Sequence, residues 1–185
     1  MKIRNLVYTA LFTALIAVGA YIKIPAPAVP ITLQFQFVNL AAILLGKKYG
    51  AAAAAAYVAL GLAGVPVFAG GGGIGYVLKP TFGYLIGFIA GAYAAGAYIG
   101  KNQAEGTHKK KILAASFINL SIVYATGAVY FYFITRYYLD TPIGAGALFL
   151  QCFALTAPGD IVLCFVGAGL TDRLSAHYRK SRSHR

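Results

Sequence analysis

Six apolar runs, each close to the ~20 residues that carry a helix across a bilayer, follow one another with short cationic segments between them. They predict helices at 5–23, 31–46, 49–65, 80–100, 110–136 and 145–171, hence an all-α membrane domain of six transmembrane helices over residues 1–185. Composition leaves little else open. With 59% apolar residues and four acidic side chains among 185, the chain cannot cover a water-soluble globule of its size. A net charge of +12 raises nucleic acid as a partner, yet the sixteen Lys and Arg sit in clusters between apolar runs and not on one amphipathic face. Membrane topology accounts for them. If the N-terminus is inside, the outer segments carry only Lys23, Lys79 and Arg136 of the sixteen, so the positive-inside rule puts both termini in the cytoplasm.

The first run begins with basic residues as a signal peptide does, but no small-residue cleavage site follows it, so a retained span is expected. Cys152 and Cys164 lie on one predicted helix, ~18 Å apart along its axis, too far for a disulfide. His108, His177 and His184 lack ligand-like spacing, and no metal site is expected. The chain carries no G-x-x-x-x-G-K-[ST], so it is not expected to hydrolyse a nucleotide itself. Nor does it carry paired carboxylates, a His cluster or a nucleophile–base set, which argues against an enzyme.

Residues 66–79 form a glycine-rich outer loop, PVFAGGGGIGYVLK, whose glycine run is flanked by Phe68, Tyr76, Phe82 and Tyr84. Gly70, Gly72 and Gly75 satisfy G-x-G-x-x-G, but between two apolar helices and without a βαβ unit this is no dinucleotide fingerprint. Bare backbone at Gly71, Gly72 and Gly73 suits a lid pressed on a small molecule, and a floppy connector is the alternative. In the first outer loop Pro25, Pro27 and Pro30 favour a stiff extended crossing of the mouth. Thr32, Gln34 and Gln36 then recur every second residue, so in an extended chain they share one side, toward a ligand or toward water.

Asp160 lies inside the last apolar run, where a carboxylate costs about 2.5–3.5 kcal/mol on insertion scales. It should face a cavity, or else hydrogen-bond to a neighbouring helix through Asn119 or Tyr124. Pro158, two residues earlier, predicts a kink there by freeing the Ala154 carbonyl. On the first helix Ala10 and Ala14 share a face beside Thr9, Thr13 and Ala17, a small-xxx-small stripe that permits close helix approach, within the chain or to a partner.

Together these segments resemble the biotin-specific substrate-binding subunits, or S-components, of energy-coupling-factor (ECF) transporters, the BioY type. The resemblance is carried by Ile24-Pro25 through Thr32-Leu33-Gln34, by Gly61 to Gly71, by Gly75-Tyr76 with Pro80 to Phe88, by Tyr124-x-x-Gly127 and by Pro158-Gly159-Asp160. It implies a multi-pass subunit of a bacterial or archaeal plasma membrane that captures biotin at the outer side. It further implies a transmembrane coupling subunit and a pair of ATPases as partners, with ATP bound only by them and no cofactor in this chain. Ala10 and Ala14 match the family's docking stripe for the coupling protein. Asp160, Gln34, Thr32, Tyr76, Tyr84, Phe68 and Gly71 to Gly73 are the expected ligand-binding residues. The family's Gly-Asp-x-x-Lys pattern is broken, because Ile161, Val162 and Leu163 follow Asp160. Lys79 either takes over as the ligand's cation or snorkels to the interface. The alternative function is a stand-alone, ion-coupled vitamin transporter with Asp160 as its ion or proton site.

Overall fold

A computed structural model describes residues 3–24, 29–100, 109–141 and 144–183. The apolar runs form α1 (Ile3–Tyr21), α2 (Gln34–Leu62), α3 (Phe82–Ile99), α4 (Lys109–Tyr137), a short α5 (Ala145–Phe149) and α6 (Ala157–Ser183). Lys23–Ile24 (β1) and Ile31–Thr32 (β2) pair as a small antiparallel ribbon, and Ile74–Leu78 makes a 3₁₀ turn in the glycine-rich loop. With these two strands side by side and antiparallel, the stretch from Lys23 to Thr32 does not cross the mouth as one extended segment. Pro25, Ala26, Pro27 and Ala28 themselves lie outside the described residues, as do Lys101 and His108.

α2 is two helices in one. Gly46 has φ 80° and ψ −179°, a left-handed conformation that breaks the helix and that glycine adopts without Cβ strain. The chain reverses there: a Cβ on Gly50 would stand 2.7 Å from Ala42 Cα and 2.9 Å from the Ala41 carbonyl, atoms far up the other arm. The predicted helices 31–46 and 49–65 are thus a tight helical hairpin. Gly50→Leu is expected to lower the Tm of the detergent-solubilised protein, since backbone cannot yield and overpacking typically costs about 1–3 kcal/mol. An unchanged Tm would mean that the arms do not touch.

Among the described residues four helical segments are long and apolar enough to cross a membrane: Ile3–Tyr21, Phe82–Ile99, Lys109–Tyr137 and Gly146–Thr171. The arms of the α2 hairpin are only about 18 and 24 Å long at 1.5 Å per residue, less than the ~30 Å hydrocarbon core. The last predicted helix, 145–171, is also interrupted. A π-helical stretch at Leu150–Ala154 separates α5 from α6. Pro158 does not kink a continuous helix as expected. It occupies the first turn of α6, where its missing N–H has no intrahelical role and its fixed φ suits helix initiation.

The largest interfaces are α3 with α4, α2 with α3 and α1 with α2. The α3–α4 seam rests on Gly83, Gly87 and Gly91, one per turn, where added Cβ atoms would come within 2.3, 2.3 and 2.2 Å of Tyr130, Thr126 and Asn119. Small residues every fourth position let two membrane helices approach backbone to backbone. A buried polar cluster ties α2 to α4 nearby: Asn39 Nδ2 donates to Ser116 Oγ at 2.8 Å, and Asn119 Nδ2 to Asn39 Oδ1 at 3.3 Å.

Cations sort to the two ends of the bundle. Lys47 and Lys48 follow the Gly46 reversal, which packs against Gly96 near the end of α3, and Lys111 Nζ donates to the Ile99 carbonyl at 3.1 Å. At the opposite end Lys23 and Lys79 hold the glycine-rich loop, and α4 runs toward Arg136 past Tyr130, whose hydroxyl donates to the Val77 carbonyl.

Candidate functional site

A cavity of about 60 Å³ opens at this loop-bearing end, where β2, the start of α2, the loop, α3, α4 and α6 converge. One wall is apolar and aromatic. Tyr84, Leu85 and Phe88 reach it from successive turns of α3, with Tyr76 from the loop and Phe35 from α2. Its polar lining groups are Asp160, Tyr124 and Thr156 with Thr32, Gln34 and Thr81. An apolar pocket with a few placed polar groups is the ordinary form of a small-molecule site.

Asp160 lies in the first turn of α6 and accepts a hydrogen bond from the Tyr124 hydroxyl at 2.7 Å on Oδ2. The unpaired N–H groups of a helix N-terminus offset part of the cost of holding a carboxylate among apolar walls. Its two expected situations coincide, since it both faces the cavity and bonds Tyr124. Asn119, the other candidate partner, is taken up with Asn39. Tyr84 lies edge-on to Tyr124, its ring against Gly127 and its hydroxyl bonded to the Cys152 carbonyl at 3.3 Å.

The loop beside the cavity, which lends it Ala69 and Tyr76, is tied down by hydrogen bonds. Phe68 and Gly71 exchange backbone hydrogen bonds of 2.9 and 3.1 Å across Ala69 and Gly70, and Gly73 N donates to the Gly61 carbonyl at 2.7 Å. Gly71 has φ 112°, the conformation that lets the turn close. Side chains from the surrounding elements pin the carbonyls of this loop: Tyr21 to Pro66, Lys23 to Ala69 at 2.6 Å, and Tyr57 to Val67 at 3.1 Å. A floppy connector does not describe it.

Of the expected ligand-binding residues, Asp160, Tyr76, Tyr84, Gln34 and Thr32 border the cavity. Phe68 does not; it is 2% exposed, wedged against Gly61 between the rings of Tyr57 and Tyr76, and anchors the lid from beneath. Gly71, Gly72 and Gly73 belong to the loop without bordering the space, which Ala69 and Tyr76 border. Lys79 stays outside, its Nζ donating to the Gly70 carbonyl at 2.9 Å and lying 4.6 Å above the Tyr76 ring. Thr32, Gln34 and Gln36 do not share one side, because the helix begins at Gln34 and two helical residues differ by about 200°. Gln36 turns from the cavity to Gly167 of α6, where neither amide atom has a hydrogen-bond partner. Sequence reasoning passed over Thr81, Phe88, Val123 and Thr156. The spacing Thr81, Tyr84, Leu85, Phe88 is a helical stripe readable without coordinates.

Residues 1–180 match the family described as the BioY family. The chain belongs to that family. The probable biotin transporter BioY of Lysinibacillus sphaericus is 43% identical over 179 residues, covering 97% of this chain and 90% of that one. The biotin transporter BioY of Thermotoga maritima is 45% identical over 137 residues, 74% of this chain and 76% of its own. Among solved structures, the S-component for biotin from an ECF-type ABC transporter superposes with a TM-score of 0.79 at 28% identity, covering 94% of this chain and 91% of that one. The BioY resemblance expected from the motifs therefore holds, and these relatives are transporters, not enzymes. Ile161, Val162 and Leu163 follow Asp160, and among the described residues bordering the cavity there is neither lysine nor arginine.

Proposed function

We propose that this chain is the substrate-binding subunit for biotin of an ECF-type importer. The observation that carries the proposal is Asp160, a carboxylate with one oxygen held by Tyr124, facing an aromatic-walled cavity in a chain of the BioY family. Biotin fits this chemistry: its ureido ring offers two N–H donors to Asp160, and its thiophane is apolar enough for Tyr76, Tyr84 and Phe88. Its valerate carboxylate would emerge under the lid, where Lys79 and Lys23 lie.

In this reading the α2 hairpin arms are the second and third of six crossings, the lid end faces outward, and the cation-rich end and both termini lie in the cytoplasm. Turnover requires a coupling subunit and two ATPases, because the chain has no P-loop of its own.

Titrating the purified subunit with biotin, dethiobiotin, thiamine and riboflavin tests it. Saturable binding of biotin, weaker binding of dethiobiotin and none of the other two is the expected result; preference for thiamine or riboflavin would overturn the ligand. Reconstituted vesicles test the mechanism: uptake should need ATP and the partner subunits, and gradient-driven uptake by the chain alone would favour the ion-coupled alternative.

A further inference from the structure

Tyr57, on the second arm of α2, is fully buried and does not border the cavity. Its hydroxyl nevertheless stands midway along a hydrogen-bond relay from lid to cavity. It donates to the Val67 carbonyl at 3.1 Å, and a carbonyl can only accept. A phenol has one hydrogen, so toward Gln34 it accepts, and Gln34 Nε2 donates to it. Gln34 Oε1 therefore lies on the other side, where it accepts from Thr32 Oγ1 at 3.0 Å. One backbone carbonyl of the lid thus fixes the polarity of the whole relay. Turning the Gln34 amide over would oblige Tyr57 to donate to it and leave the Val67 carbonyl without its donor.

This polarity matters because donors at the cavity are few. The hydroxyls of Tyr84 and Thr156 give their hydrogen to the Cys152 carbonyl, Tyr124 gives its own to Asp160, and Thr32 gives its own to Gln34. Among the described residues on the walls there is no lysine or arginine; the hydroxyls of Tyr76 and Thr81 and the second N–H of Gln34 are the donors that remain, and Gln34 is the one side-chain amide among them. Resting on the biotin reading above, the geometry points to Tyr57 as a positioning residue. It holds the Gln34 amide so that its N–H meets the ureido carbonyl of the ligand, and so links lid closure to ligand choice.

Tyr57→Phe keeps the edge-on ring contact with Phe68 and deletes only the relay. The test compares the affinity of purified protein for biotin with that for 2-iminobiotin, in which an N–H donor replaces the ureido carbonyl acceptor. Once the amide is free to present its oxygen, the preference for biotin over 2-iminobiotin should fall about ten-fold, the worth of one hydrogen bond. In a Gln34→Leu background the same substitution should change the ratio no further. Equal loss of both affinities would reduce Tyr57 to a packing residue and overturn the inference, as would an unchanged ratio. Gln34→Glu removes the N–H that the relay is held to present and must lower the ratio likewise, which keeps the inference open to refutation if Tyr57→Phe fails to fold. Native protein that binds neither compound would overturn the biotin reading itself, and the inference with it, a result distinct from the others.

Discussion

Asp160→Ala is expected to weaken biotin binding by about 10- to 100-fold in the purified subunit, the range for a charge-assisted hydrogen bond. The carboxylate sits one turn inside α6 with one oxygen held by Tyr124, so its remaining lone pairs are available to the cavity. Asp160→Asn should fall between native and alanine, because the amide oxygen can still accept from Tyr124 while the charge is gone. Isothermal titration alongside a melting curve separates two roles. If Asp160 served only to tie α6 to α4, Asp160→Ala would lower Tm and leave the affinity of the folded fraction unchanged. Affinity lost at nearly constant Tm places the carboxylate on the ligand.

Asp160 was legible in the sequence because a lone acid in an apolar run has few uses in a bilayer. What the sequence concealed was its local setting. Pro158 has the same letter whether it kinks a helix or starts one, and only the interruption at Leu150–Ala154 and the first turn of α6 decide between them. The helices themselves were readable from apolar length, including the break between 46 and 49, since Gly46 with Lys47 and Lys48 is both a helix breaker and a polar stop. The phase of Thr32, Gln34 and Gln36 was not readable. It depends on where extended chain yields to helix, and a shift at Gln34 sends Gln36 to Gly167 and not to the cavity. The small-residue stripe that packs α3 against α4 was visible as Gly83, Gly87 and Gly91. The relay through Tyr57 was beyond sequence reasoning altogether, because it joins residues 23 positions apart through a hydroxyl whose partners are set by tertiary packing.

The second large effect concerns α1. Its inward face is set by Phe12, Thr13 and Ile16, all buried, with Thr13 Oγ1 donating to the Ala53 carbonyl at 3.1 Å. Ala10 and Ala14 point the other way and are exposed, among the exposed apolar side chains of Leu6, Val7, Leu11 and Val18. A Trp at position 14 therefore has room in the subunit alone, whereas a coupling helix packed against that stripe would meet a ring where it needs a methyl group. Ala14→Trp is expected to leave biotin affinity and Tm of the isolated subunit near native values and to abolish ATP-driven uptake in vesicles with the partner subunits. Thr13→Trp, by contrast, should destabilise the subunit itself, since it drives the same ring into the seam with α2. Co-purification with the coupling subunit gives the direct readout. Uptake by Ala14→Trp at the native rate would show that this face meets only lipid, and loss of binding in step with uptake would assign it to the subunit's own fold.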